Sequence, residues 1–540
     1  MSGSPSAPAT TATPASWRAA TLAPFKNRIF LSIWTASLIS NFGGLIQVVG
    51  ASWLMTALAP GPDMVALVQT FTSLPVMLLA LSGGAIADVW DRRRIMLIAQ
   101  VLMLAVSAAL AVVTHLHLVT PWSLLAMTFL IGCGTALYGP AWQSSVGEQV
   151  PRAQLSAAIA LNILAFNIAR TLGPAIGGVI VATAGAQVAF IVNALSYIGL
   201  IIVLLAWRRS QTPSHLPPES ILDAMRTGVR YVRIAPPARS VLMRAFLFGL
   251  LGSAIWALMP VIARDLIRGG ARTYGLLFGA FGAGAVVGGL LSVSVRMRFS
   301  GELIVRVASV VFGITAIVAA LSHSLAMTAG IFVAGGASWV LTLSTFNITI
   351  QTCTARWVVG RALAAYQMAT FGGLALGSSL WGILADRLSI SSSLLIAGGA
   401  MLASVLVGFV IHLPEPGSLN LDPHKAQAEP TSQFEVEPES GPVVVSIEYR
   451  IAAADQEAFL AVMHQLRRIR RRDGARRWTL LQDVAQPEVW VERFQNPTWV
   501  ERLRHHHRQT ISDRQIEERA FAFHRGAEPP RMRHLLKRSV

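Results

Sequence analysis

From residue 29 to residue 413 the chain repeats one pattern: a run of about twenty apolar residues, a short polar break, then another apolar run. Runs of that length read as helices that cross a bilayer. Taken in order they predict helices near 29–52, 64–86, 95–114, 121–143, 155–182, 187–207, 241–263, 274–295, 303–322, 326–350, 361–385 and 392–412. The pattern then changes. Residues 414–440 are rich in Pro, Glu and Ser and read as a linker, and beyond them "VVVSIEYRI" alternates as a strand does. Residues 453–471 have helical spacing, "RRWTLLQDV" and "VWVERFQ" read as a strand pair around Gln486-Pro487, and "TWVERLRHHH" reads as a second helix.

Composition supports the membrane reading. The chain is 53% hydrophobic and 13% charged, about half the charge of an ordinary soluble protein. The net charge of +17 raises the question of a nucleic-acid partner, but the basic residues are distributed by loop. Lys26, Arg28, Arg92 to Arg94, Arg152, Arg208, Arg209, Arg296, Arg298, Arg356 and Arg361 fall in alternate connections. The loops "APGPDM", "HLHLVTPW", "TAGAQ" and "SHSLA" between them hold no Lys or Arg. By the positive-inside rule both termini are cytoplasmic, and the basic character reflects topology rather than DNA binding. One loop departs from the rule, with Arg264, Arg268 and Arg272 placed outside beside Asp265. Cys133 and Cys353 sit in apolar runs, so neither a disulfide framework nor a zinc site is indicated. Residues 1–24, rich in Ser, Ala, Thr and Pro without an apolar core, read as a disordered cytoplasmic tail.

The chain divides into that tail, a six-helix half over 25–207, a central connection over 208–240, a second half over 241–413, the linker, and a cytoplasmic domain over 441–540. In the central connection Leu222, Met225, Val229 and Val232 recur at helical spacing, with Arg226, Arg230 and Arg233 on another face. That is the pattern of a helix on an anionic membrane surface or of a solvated linker helix. The halves are related to each other. Sliding the chain so that Gly132 falls on Gly336 also brings Arg152 onto Arg356, Ala158 onto Ala362, Ala165 onto Ala369, Gly173 onto Gly377 and Gly178 onto Gly382. Duplicated halves imply a transporter that rocks about a central site.

"Gly84-Ala-Ile-Ala-Asp88-Val-Trp-Asp91-Arg92-Arg93-Arg94" resembles the signature of the major facilitator superfamily between its second and third helices, with Asp91 where the usual form has glycine. The resemblance implies twelve transmembrane helices in two six-helix halves, an all-α membrane fold to which the small C-terminal α+β domain is added. It also implies a gate: Gly84 permits close helix approach, Asp88 faces a helix dipole, and the arginines pair with carboxylates such as Glu148. Simple positive-inside anchoring is the plainer alternative. "Arg170-Thr-Leu-Gly173-Pro174-Ala-Ile-Gly177-Gly178" resembles the Gly-Pro signature of exporter branches, implying a bending, leak-tight element. With "MPVIARDLI" and "YGLLFGAFGAGAVVGG" the match is similar to the enterobactin-exporter-like group, over about residues 25–413. The group implies export of a siderophore or drug-like compound, and proton antiport is the usual energy source of similar exporters.

Nine acidic residues precede residue 414, all in loops or near helix ends: Asp63, Asp88, Asp91, Glu148, Glu219, Asp223, Asp265, Glu302 and Asp386. Arg170 is the exception among ionisable groups, roughly 22 Å into its helix at helical rise. It is a candidate for substrate contact, or for a structural pairing with carbonyls. Asn167, Asn41, Gln47, Gln143, Asn347 and Gln351 are further polar candidates, and Trp142, Trp256 and Trp339 either line an apolar cavity or pack against lipid. The strand–helix–strand–strand–helix order of the tail suggests a ferredoxin-like domain resembling the small antibiotic-monooxygenase-like modules. Those modules often dimerise through their sheets. Some members are cofactor-independent oxygenases and some bind haem, so a membrane-anchored enzyme or a sensor is the alternative function. No catalytic set, cofactor site or metal site is assembled in the sequence. His505, His506 and His507 point in different directions on a helix and read as a solvated basic face.

Overall fold

The computed structural model describes residues 22–59, 61–151, 154–207, 220–415, 420–422 and 434–538. Most of the expected N-terminal tail, Arg152, Arg208, Arg209, Glu219 and much of the linker lie outside the described residues, as does the side chain of Asp88. Among the described residues twelve helices are long and apolar enough to cross a membrane. We number the helices α1 (Arg28–Leu58), α2 (Pro62–Val89), α3 (Arg92–His115), α4 (Pro121–Gln149), α5 (Leu155–Ala184), α6 (Ala186–Ala206), α7 (Ile221–Ile234), α8 (Pro236–Val261), α9 (Ala271–Arg298), α10 (Gly301–Leu321), α11 (Leu325–Thr352), α12 (Val359–Arg387), α13 (Ile390–Ser404) and α14 (Val407–Val410). A π turn over Ile262–Leu266 extends α8, and α13 with α14 forms the last span.

The helix ends are set by capping chemistry, because an unsatisfied backbone group is expensive near lipid. The side chains of Asn27, Asp91, Ser300 and Ser389 each accept a hydrogen bond from a first-turn amide, at 3.0, 3.1, 3.3 and 3.0 Å. Thr120 and Ser123 form a reciprocal capping box ahead of α4, with Pro121 in the first helical position.

The chain forms two compact units. The first contains α1 to α6, most of α8 and α12, and α9, α10, α13 and the greater part of α11. Within it α1 packs on α5 and α6, α2 on α4, α3 on α4 and α6, and α10 on α13. The seam between its two halves runs along α5 and α9. A β-carbon built on Gly178 would lie 2.7 Å from the Gly275 α-carbon, and one on Gly282 would lie 2.6 Å from the Arg170 carbonyl. Side chains at those positions would drive the helices apart, so the seam depends on glycine.

The second unit holds α7, the start of α8, residues 346–366, and everything from residue 411 onward. Its C-terminal domain adds β1 (Val443–Arg450), α15 (Gln456–Asp473), β2 (Arg476–Gln482), β3 (Val489–Asn496), α16 (Trp499–His507), α17 (Ile511–Ala522) and β4 (Arg531–Leu536). The strands form one antiparallel sheet in the order β2-β3-β1-β4, the ferredoxin-like arrangement. Phe459, Val462, Met463 and Leu466 line one face of α15 at helical spacing and bury against Val445, Ile447, Tyr449 and Phe494. Each such side chain contributes roughly 1.5–3 kcal/mol when fully buried. Helix α17 packs on α15, and strand β4 completes the sheet.

Helix α7 packs on α15, and its buried residues are Ala224, Thr227, Gly228 and Tyr231, with Gly228 against the Arg361 side chain. The face formed by Leu222 and Val229 is exposed instead. Small and polar residues plus one tyrosine make the packing surface, which a search for apolar periodicity does not register. Arg230 Nε donates to the Arg472 carbonyl at 3.3 Å, and Arg508 lies over the Trp357 ring at 4.8 Å. Arg356 pairs with Asp422 at 2.8 Å. The domain is therefore tied to the central connection and to the loop between α11 and α12.

Candidate functional site

A cavity of about 280 Å³ lies within the first unit. Asn41 and Gln47 of α1 line it, with Gln100 of α3, Tyr138 of α4, Asn193 of α6 and Phe371 of α12. Asn41 and Gln47 lie six residues apart on α1, and both reach the cavity. Gln47 Oε1 accepts from Ser107 Oγ at 2.9 Å and from Asn193 Nδ2, and Asn193 Nδ2 also lies 3.1 Å from the Tyr197 hydroxyl. This network satisfies its polar groups within the membrane part and holds α1, α3 and α6 in register. Gln100 differs. It is 1% exposed, its Oε1 has no hydrogen-bond partner among the described residues, and it lines the cavity. A buried acceptor without a donor costs about 1–3 kcal/mol, which a ligand donor would relieve.

Arg170 and Asn167 lie on α5, and Phe166, beside Asn167, lines the cavity. The Arg170 guanidinium carbon is 5.5 Å from the centroid of the Trp256 ring. Trp256 in turn packs on Phe278, Phe281 and Trp339, with centroids 5.4, 4.9 and 5.7 Å away. Trp256 and Trp339 thus belong to the aromatic core of the second half, and Trp142 stacks on Tyr138 at 5.8 Å. The signature glycines of α5 face two ways. Gly173 and Gly177 meet Leu45 and Ile46 of α1, whereas Gly178 meets Gly275 of α9, and the Pro174 carbonyl also lies against Gly275. Thr171 Oγ1 lies 3.0 Å from the Asn167 carbonyl and 3.2 Å from that of Gly282, sharing its proton across the same seam. Thr70 Oγ1 bonds the Ala375 carbonyl at 3.1 Å, and Arg264 bonds that of Thr56 at 2.9 Å. These inter-half contacts lie toward the end opposite the arginine-rich loops.

At the arginine-rich end, Gly84 is half-buried in α2 and Asp88 stands one residue before its end. Asp91 serves as the N-cap of α3, which explains a carboxylate where the family pattern has glycine. Arg92 donates to Glu148 Oε1 at 2.7 Å and to the Ser144 carbonyl at 2.9 Å, joining α3 to α4. Arg93 donates to the Leu204 and Leu205 carbonyls, both at 2.6 Å, and so caps the end of α6, while Arg94 is exposed. Gln143 is exposed on α4. Asn347 and Gln351 lie in the other unit and pair with each other at 2.5 Å along α11. Gln100, Asn193 and Tyr197 were not among the residues singled out from the sequence, although an amide in an apolar run is the same signal that marked Asn41 and Gln47.

In the C-terminal domain the three histidines separate as their spacing requires. His505 is 4% exposed and lies against Phe494 at 5.5 Å, so the helix is not solvated on that side, while His507 is exposed. Among the described residues there is no group of three His, Cys, Asp or Glu side chains suited to a metal ion.

Comparison with known proteins agrees with this architecture. The family described as "Transmembrane secretion effector" matches residues 19–540. The Staphyloferrin A transporter of Staphylococcus aureus is 24% identical, covering 70% of this chain and 95% of its own. Multidrug efflux pump Tap of Mycobacterium tuberculosis is also 24% identical, covering 72% of this chain and 94% of its own. The nucleoside transporter NupG shares the fold at a TM-score of 0.61 and 10% identity, over 71% of this chain and all of its own. A bacterial homolog of the human lysosomal transporter Spinster, solved inward-facing and unoccupied, gives 0.54 at 15% identity, over 72% and 95% of the two chains. These relatives are covered nearly end to end and still leave over a quarter of this chain without a counterpart.

Proposed function

The chain belongs to the transmembrane secretion effector family of major facilitator transporters, and we propose that it exports a small amphipathic organic molecule, siderophore-like or drug-like, by alternating access. It is a multi-pass secondary transporter rather than an enzyme. The observation that carries the substrate reading is the cavity of about 280 Å³, in which Asn41, Gln47 and Gln100 stand beside aromatic side chains. Mixed linings of that kind suit compounds with a few polar groups on an apolar body. The relatives named for staphyloferrin A and for multidrug efflux support the same substrate classes.

In this reading both termini face the cytoplasm, the seam of α5 and α9 closes the outer end, and Gly84, Asp88 and the arginine cluster with Glu148 form the inner gate. The bilayer is the cytoplasmic membrane, and a proton gradient drives export. A second copy of the chain covers the outer sheet face of the C-terminal domain, where Leu481 and Leu535 are exposed. The experiment is uptake of candidate siderophores and cationic dyes into inverted vesicles, with an uncoupler arm and a Gln100→Leu arm. Concentrative uptake that the uncoupler abolishes and Gln100→Leu reduces is expected. Absence of uptake for every compound by the intact chain would sink the export reading.

A further inference from the structure

A second cavity, of about 110 Å³, lies inside the C-terminal domain, and nothing in the transport reading uses it. Its wall includes Arg502 and His505 of α16, His534 and Met532 of β4, Phe494 of β3 and Ile469 of α15. Arg502 is 5% exposed. Among the described residues its guanidinium makes no ion pair: Nη2 donates to His534 Nε2 at 3.0 Å, and Nε is buried without a partner. Burying a cation without a counter-ion is costly, and proteins ordinarily pair such a charge.

The carboxylates around the cavity are already engaged. Glu517 accepts from Arg470 at 2.5 Å, Gln509 at 2.7 Å and Arg514 at 2.9 Å. Glu492 accepts from Arg470 at 3.3 Å, Trp478 at 2.9 Å and Tyr449 at 3.1 Å. Asp473, which also lines the cavity, accepts from Arg472 at 2.8 Å, so three arginines, Arg470, Arg472 and Arg514, answer the three carboxylates and Arg502 is left over. The imidazoles do not compensate it. Burial, then Arg502, holds His534 down at about 4, and burial with the surrounding arginines holds His505 well below the usual histidine range. Both are neutral near pH 7. Arg502 itself, lowered to about 10 mainly by burial, keeps its proton.

We infer that this cavity is a binding site for a small organic carboxylate, its head group on the Arg502 guanidinium and its short apolar body against Ile469, Phe494 and Met532. A guanidinium presents the planar fork that a carboxylate meets with two bonds. The apolar wall favours an organic acid over inorganic phosphate. Size limits it too: a cavity of ~150 Å³ holds benzene, so about 110 Å³ holds roughly five heavy atoms, the size of propionate. The cavity's helix leads directly into a contact with the loop before α12 in the same unit. Arg508, one residue beyond α16, lies over Trp357 in the loop before α12 and donates to the Asp473 carbonyl at 2.8 Å.

The test uses the full chain in detergent micelles or nanodiscs. Propionate, butyrate, octanoate and inorganic phosphate are titrated by calorimetry, with amide exchange of residues 499–507 and 531–536 followed in parallel. Propionate or butyrate should bind and slow exchange in both segments, and octanoate and phosphate should bind at least tenfold more weakly. Arg502→Gln should weaken propionate binding by roughly ten- to a hundredfold, the loss expected for hydrogen bonds to a charged group, without faster exchange in the ligand-free domain. Met532→Trp, which fills the cavity and leaves Arg502 in place, should also abolish binding. The proposal is overturned if no short carboxylate binds at tens of millimolar or if phosphate binds as well as propionate. It is likewise overturned if Met532→Trp binds like the parent, or if Arg502→Gln unfolds the domain, which would make Arg502 a structural cation.

Discussion

Arg472 lies across the ring of Tyr231, its guanidinium carbon 5.6 Å from the ring centroid, while the Tyr231 hydroxyl accepts the amide of Ala355 at 3.1 Å. One side chain thereby joins three segments distant in sequence: the C-terminal domain, the central connection, and the loop entering α12. Tyr231 is 2% exposed and also packs edge-on against Trp357 at 5.7 Å. A domain appended by a linker alone would need none of these contacts.

Tyr231→Ala should release the domain from α7. Truncating a buried aromatic costs about 3–5 kcal/mol where the site cannot collapse, so amide exchange in residues 221–234 and 353–358 should accelerate while the membrane helices keep their protection. Tyr231→Phe removes only the hydroxyl and should leave exchange within about tenfold of the parent, since a net hydrogen bond is worth about 1 kcal/mol. Equal exchange in the alanine variant and the parent would mean that the domain is held elsewhere.

The membrane part was legible in the sequence because a helix that crosses lipid is apolar all round, so run length alone finds it. Surfaces that pack by other means were not. The buried face of α7 is Ala224, Thr227, Gly228 and Tyr231, whereas hydropathy points to Leu222 and Val229, which are exposed. Helix α17 and strand β4 escaped for a related reason: charges interrupt the apolar residues of "ISDRQIEERAFA" and "RMRHLL", and an edge strand needs only its inward residues apolar. At the candidate site, residue type marked Asn41 and Gln47, but only the packing of three helices reveals that Gln47, Ser107 and Asn193 meet. The role of Asp91 is visible only once the start of α3 is known.

Glu148→Gln tests the inner gate. The Arg92–Glu148 pair is about one-fifth to one-quarter exposed, so its loss should cost about 1 kcal/mol or less and leave insertion intact. That is still enough to change a two-state balance several-fold. Cysteine accessibility at the two ends should shift toward the inward-open form, with a matching change in export rate. Unchanged labelling and transport would reduce the loop to an anchor.

Gly178 at the α5–α9 seam makes a sharper case. An alanine there meets backbone at 2.7 Å, whereas Gly199 has open space around its missing β-carbon. Gly178→Ala should impair export and Gly178→Val should nearly abolish it, since overpacking costs about 1–3 kcal/mol, while Gly199→Ala should transport like the parent. Outer-end accessibility should rise in the Gly178 variants alone. Equal effects at both positions would remove the special role of the seam.

Acid should loosen the C-terminal domain through its histidines. Burial and Arg502 hold His534 at about 4 in the folded chain, below its ordinary 6.5. Below pH 6.5 the unfolded chain takes up the proton first, so the stability that neutral His534 preserves is complete above that pH and is lost as pH falls through 4. His534→Gln keeps an acceptor for Arg502 and removes the titration. After correction for intrinsic rates, exchange in residues 531–536 should rise more between pH 7 and pH 4.5 in the parent than in His534→Gln. Parallel curves would show that His534 does not govern this window.

Arg170 carries the remaining question about substrate charge. A guanidinium at that depth costs at least ~2.5 kcal/mol on insertion scales, and its contact with Trp256, at 5.5 Å, returns roughly 0.5–2 kcal/mol. The balance is met by carbonyls, water or an anionic substrate group near Asn167 and Phe166. Arg170→Lys keeps the charge and should retain part of the transport of anionic compounds. Arg170→Gln should lose anionic compounds by tenfold or more and spare neutral ones, because only the charge-dependent attraction disappears. Trp256→Leu, which leaves the charge and removes its aromatic partner, should weaken both classes alike by disturbing the core around Phe281 and Trp339. The measurement is uptake of matched anionic and neutral compounds into inverted vesicles, alongside thermal stability of each variant. If Arg170→Gln loses both classes equally and melts earlier, Arg170 belongs to the scaffold and the substrate's charge is read elsewhere.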